Sequence, residues 1–159
     1  MKFLIINREG LEQLCSKPFD KPTAIISITD YGSNWVNVKY KPKHFMRLIF
    51  DDVPIGKDFE EDFGYEMSET EIEEMEIKFH SMSEGQVKDI VAFYNEVKDD
   101  VEVIICQCEY GQSRSAAIAA ALTEFTYKNG IDIFADNRYC PNKSIFRKVL
   151  KGLREYEGK

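Results

Sequence analysis

Cys108 and Arg114 stand six residues apart in the run Cys108-Glu109-Tyr110-Gly111-Gln112-Ser113-Arg114-Ser115. That interval is enough backbone to curl once around a tetrahedral anion, so that N–H groups point inward. Arg114 offers a rigid fork of donors to two phosphate oxygens, a geometry that lysine lacks. Gly111 can adopt positive φ and lets the backbone approach an anion closely. Cys108 sits in the positive field of this segment, which favours the thiolate, the nucleophilic form of cysteine. Ser115 can donate a hydrogen bond to the sulfur and so improve it as a leaving group. The chemistry implied is nucleophilic attack by sulfur on a bound phosphate-like anion.

The elements around this segment suit the task. Val101–Cys106 is apolar and β-branched apart from Glu102, as expected of a parallel strand buried on both faces. Ser115–Lys128 is an Ala-rich helix that should end near Asn129-Gly130. The polar run therefore joins a strand to a helix N-terminus, where α/β sheets bind ligands and where unpaired N–H groups attract anions. Lys2–Asn7, Thr23–Thr29 and His44–Phe50 read as further strands. A short helix fits within Gly10–Ser16. Ser68-Glu69-Thr70-Glu71 and Ser83-Glu84-Gly85-Gln86 have capping-box spacing and predict helices over 69–80 and from 84 onward. In the second of these, Val87, Ile90, Val91, Tyr94 and Val97 share one face. Pro141-Asn142 starts a last helix with Ile145, Val149, Leu150 and Leu153 as its buried stripe. The alternation predicts a three-layer α/β sandwich, with a central, mostly parallel sheet of four or five strands flanked by helices.

Composition narrows the function classes. The chain has 159 residues, which fits one domain spanning 1–159. The net charge of −7 argues against nucleic acid as a partner. No stretch approaches the ~20 apolar residues of a membrane span, and no signal-peptide core is present, so a cytoplasmic protein with no membrane partner is expected. The acidity is local: residues 51–76 hold twelve Asp or Glu against Lys57 alone, a net of −11 that reads as a solvated face. Cys15, Cys106, Cys108 and Cys140 contain no C-x-x-C, and with His44 and His80 as the only histidines they predict free thiols and no metal site. No cofactor is implied.

The pattern C-x5-R-S, preceded by a β-branched strand and followed by a small-residue helix, resembles the signature of the cysteine-based protein tyrosine phosphatases. The chain length is similar to that of their compact dual-specificity-like members. The resemblance implies a phosphatase domain acting on phosphotyrosine, and also on phosphoserine or phosphothreonine if its pocket is shallow. Substrates would be phosphorylated proteins or small phosphomonoesters. It implies a metal-independent, two-step reaction through a phosphocysteine on Cys108. Arg114 and the backbone N–H groups of Glu109, Tyr110, Gly111, Gln112, Ser113 and Arg114 would hold the oxygens that gain charge in the transition state. Ser115 would assist the sulfur.

Such an enzyme also needs a general acid. In the resembled family this is an Asp on the loop after an earlier strand, and here Asp51-Asp52 follows the strand His44–Phe50. Asp52, just past the strand, is the preferred acid; Asp51 is the alternative, and Asp58 and Asp62 are more distant ones. The chain departs from the family pattern in having Gln107 where His is usual, Tyr110 where a small residue is common, and Glu109 beside the nucleophile. The loop has no Lys, which speaks against phosphoinositides. Two other classes compete: a non-catalytic phosphate or phosphopeptide-binding module, and a rhodanese-like enzyme. Trp35, Tyr31 and Tyr40 are expected to pack in the core, with a flap near the site as the alternative. Asp136–Cys140 is expected to be a plain loop.

Overall fold

All four strands of the sheet run in parallel, so their C-terminal ends share one edge of the molecule. The computed structural model describes residues 1–157. The strands are β1 (Lys2–Ile6), β2 (Thr23–Thr29), β3 (His44–Ile49) and β4 (Val103–Gln107), in the spatial order β1-β4-β2-β3. Registers such as Ile6 with Gln107, Ser27 with Gln107 and Ser27 with Arg47 align these ends. β2 is buried along its whole length, whereas β1 and β3, at the two sheet edges, are largely half-buried. Continuous apolar runs belong in the middle of a parallel sheet because both faces are covered.

The helices are α1 (Arg8–Leu14), α2 (Asp58–Phe63), α3 (Glu69–Lys78), α4 (Glu84–Val97), α5 (Arg114–Tyr127), α6 (Ile131–Ala135) and α7 (Lys143–Glu157). One face of the sheet carries the main core, where Ala24, Ile26, Ile104 and Cys106 meet α4, α5 and α7. Ala116, Ala117, Ala119, Ala120 and Ala121 are all fully buried. Their small side chains explain how α5 can pack between the sheet and α7. The predicted stripes of α4 and α7 are the buried ones. On the other face, Leu11 and Cys15 with Val36 cover Ile25 and Ile105.

The acidic stretch is more than a solvated face. It folds into α2 and α3 over a small cluster of Phe59, Met67 and Ile72. The Ser68–Glu71 and Ser83–Gln86 capping boxes both form, each with its reciprocal pair of hydrogen bonds. Two short helices, α2 and α6, were not expected from the sequence. The core placement expected for the three aromatics is corrected: Tyr31, Trp35 and Tyr40 are 61%, 41% and 40% exposed. They find partners on the surface instead. Tyr31 stacks on His80 with ring centroids 3.6 Å apart, and the Arg47 guanidinium lies 5.2 Å from the centroid of Trp35.

Candidate active site

β4 ends at Gln107 and α5 begins at Arg114, so residues 108–113 form the turn between them. Gly111 has φ +65°, and a Cβ there would lie 2.6 Å from Asn7 N and 2.6 Å from Ile6 C. Both the left-handed conformation and the contact with the end of β1 exclude a side chain. Three carbonyls of the turn accept hydrogen bonds from other segments. Glu109 O accepts from Arg8 N at 3.2 Å, Gln112 O from Cys140 N at 2.8 Å, and Ser113 O from Ala117 N at 2.9 Å and Asn142 N at 3.3 Å. Among the described residues, none of the backbone N–H groups from Glu109 to Arg114 donates to a protein acceptor. Successive free N–H groups running into a helix N-terminus make an anion-binding nest.

Cys108 is 2% exposed, and its Sγ lies 3.1 Å from Ser115 Oγ, itself fully buried. The neighbouring Cys106 points into the main core. Burial pushes its thiol up to about 12, with Cys108 adding to the shift, so it stays protonated at neutral pH. Arg114 is 4% exposed. Its Nη1 donates to Phe50 O at 2.7 Å, and its Nη2 lies 2.5 Å from Asp30 Oδ1. Residues following β2 and β3 thus grip both Nη atoms of the guanidinium. Its Nε is buried and has no partner among the described residues.

The two adjacent aspartates after β3 are separated by geometry. Asp52 Oδ1 accepts from Ser113 Oγ and from Asn142 Nδ2, both at 2.9 Å, which places this carboxyl against the turn. Asp51 Oδ1 accepts from Tyr31 N at 2.9 Å. Asp58 is engaged elsewhere, with Ser144 Oγ at 2.7 Å and Arg147 Nη1 at 2.5 Å, and so ties α2 to α7. Asp62 is exposed.

Tyr110 is 77% exposed and Gln112 is exposed, both on the outside of the turn. Glu109 Oε2 lies 3.6 Å from Arg8 Nη1, and the same guanidinium donates through Nη2 to Trp35 O at 2.9 Å. Gln107 is fully buried; its Oε1 accepts from Ser27 Oγ on the next strand, and its Nε2 has no partner among the described residues. The segment Asp136–Cys140 does more than span a gap, since Cys140 N holds the turn at Gln112 O. Asp30 and the side-chain amide of Asn142 are the residues that the sequence left unmarked as parts of the site. A polar residue directly after a buried strand was the one available signal for Asp30. Among the described residues, no group of three or more His, Cys, Asp or Glu side chains is arranged to hold a metal ion.

No protein-family model and no curated protein matches the chain by sequence. Solved structures do match its fold. Tk-PTP in its active form superposes with a TM-score of 0.53 at 14% identity, over 96% of this chain and 90% of that one. PTPMT1 superposes with a TM-score of 0.54 at 12% identity, over 99% of this chain and 92% of that one. Human DUSP28 superposes with a TM-score of 0.55 at 10% identity, over 98% of this chain and 94% of that one. The fold is that of the protein tyrosine phosphatases and, within them, of the compact dual-specificity type.

Proposed function

We propose that the protein is a metal-independent phosphomonoesterase that works through a phosphocysteine on Cys108 and acts on phosphotyrosine in proteins. The observation that carries this reading is the buried, unpartnered Nε of Arg114 at the end of a turn whose N–H groups are free and whose first residue is a thiol held by Ser115. A bound phosphate satisfies both sets of donors. The Cys108 thiolate attacks phosphorus and forms the S–P bond as the bond to the leaving oxygen breaks. That oxygen keeps the electron pair and takes a proton from Asp52. Water then attacks phosphorus, Asp52 accepts its proton, and the sulfur leaves as thiolate, stabilised by the hydroxyl of Ser115. Arg114 and the turn's N–H groups hold the equatorial oxygens in both steps. Asp52 is preferred over Asp51 because it alone of the two contacts the turn.

The turn has no Lys and carries Glu109, which disfavours highly charged lipid headgroups. A PTPMT1 structure is a complex with PI(5)P, so phosphoinositides belong in the comparison set. No described helix is long and apolar enough to cross a membrane, and phosphotyrosine-bearing proteins are the proposed substrates. The phosphatase fold favours this chemistry over a rhodanese-like one.

The test is hydrolysis of phenyl phosphate and a phosphotyrosine peptide in EDTA. Cys108→Ser should abolish turnover, and Asp52→Asn should lower kcat/KM about 10²- to 10⁴-fold, the usual weight of general acid catalysis. Wild-type protein that binds the peptide without hydrolysing it would instead establish a phosphopeptide-binding module.

A further inference from the structure

Asn142 caps α7: its Oδ1 accepts from Ile145 N at 3.1 Å. That bond fixes which end of the amide is oxygen and turns Nδ2 towards the acid loop. There Nδ2 donates to Asp52 Oδ1 at 2.9 Å and to Val53 O at 3.2 Å, so both of its protons are used. Ser113 Oγ donates to the same Asp52 Oδ1 at 2.9 Å. Asp52 Oδ2 has no protein partner among the described residues.

An NH2 group can only donate. An oxygen that accepts from it cannot also be the hydroxyl oxygen that presents its proton to a substrate in that direction. In protonated Asp52 the hydroxyl is therefore on Oδ2, the free oxygen, while Oδ1 stays the carbonyl-like acceptor. We propose that Asn142 is a positioning residue for the general acid. It fixes the acid loop against the turn through Asp52 and Val53, and it selects Oδ2 as the oxygen that delivers the proton. This rests on the phosphatase reading of the site. As the phosphorus–oxygen bond breaks, the leaving oxygen takes the Oδ2 proton, and Asp52 is left as a carboxylate whose Oδ1 is still held by Asn142 and Ser113.

The test separates this role from helix capping. Serine caps a helix about as well as asparagine but has no second donor to reach the acid. Asn142→Ser should keep the wild-type melting temperature to within a few degrees. A misaligned acid matters most when the leaving group is strongly basic. kcat/KM for para-nitrophenyl phosphate should therefore fall no more than about threefold, whereas kcat/KM for phenyl phosphate should fall about tenfold or more. The dependence of kcat/KM on leaving-group basicity then steepens, which a purely structural defect would not cause. An equal fall for both esters, or no fall for either, would overturn the proposal. If the wild-type protein hydrolyses neither ester, the phosphatase reading has failed and the acid role with it, and a crystal structure of Asn142→Ser decides whether Asn142 holds the loop at Asp52. Asp52 detached from Ser113 upholds it; Asp52 unmoved overturns it.

Discussion

Asp30 Oδ1 lies 2.5 Å from Arg114 Nη2, so the residue after β2 holds the first residue of α5 by its guanidinium. A buried guanidinium needs an acceptor or counter-charge, and here Phe50 O supplies the second contact at 2.7 Å. The two contacts come from the ends of adjacent parallel strands. They fix the plane of the fork before any anion arrives.

Asp30→Asn removes the counter-charge while keeping size and an acceptor oxygen. The expected result is a fall in kcat of about tenfold or more, since misplacement of a positioning group is costly in rate. Inhibition by vanadate, which mimics the five-coordinate transition state, should weaken in parallel. Stronger binding of phosphate by the variant would show that Asp30 competes with the anion for Arg114 instead of orienting it.

Gly111 supports the turn by a different route. An alanine there must take φ near +65° and bring its Cβ within 2.6 Å of the backbone of Ile6 and Asn7. Left-handed backbone at a residue with a side chain costs about 1–3 kcal/mol. The contact partners are backbone atoms, so relief requires the turn itself to shift. Gly111→Ala is expected to lower the melting temperature and to reduce kcat/KM about 10²-fold, as a displacement of about 1 Å at reacting groups does. Unchanged kinetics with a lowered melting temperature would mean that the turn tolerates the shift.

What was legible in the sequence is what is local. β2 has the limits read from its apolar run, and the paired boxes at Ser68 and Ser83 cap helices because the signal spans four residues. The C-x5-R-S pattern is one short loop, and its Gly111 and Ser115 have the conformation and contact their residue types suggest. The contacts around Asp52 join positions 61 and 90 residues apart, and no local pattern carries them. They follow from the parallel alignment of strand ends, as does the pairing of Asp30 with Arg114. Tyr31, Trp35 and Tyr40 went wrong for a physical reason too. Single exposed aromatics are ordinary, and these three lie between β2 and β3, outside either strand, where no periodicity marks a buried face.

Cys106 offers a prediction about stability rather than rate. Its thiol is fully buried in the main core, and burial pushes it up from 9.0 to about 12. Between those values the unfolded chain releases a proton that the folded protein keeps, so the folded state binds more protons and stability must fall as pH rises. The contribution is fully present below about pH 9 and is lost progressively towards pH 12. In denaturant unfolding, the stability advantage of the wild type over Cys106→Ala should therefore be constant from pH 7 to pH 8.5 and shrink steadily by pH 10.5. The comparison between the two proteins cancels the tyrosines and lysines that titrate in the same range. A difference that stays constant to pH 10.5 would mean that the thiol ionises in the folded protein as readily as in the unfolded one. In the wild type at pH 7.5, a haloacetamide should label the exposed Cys140 and the nucleophilic Cys108 and leave the fully buried Cys106 unmodified.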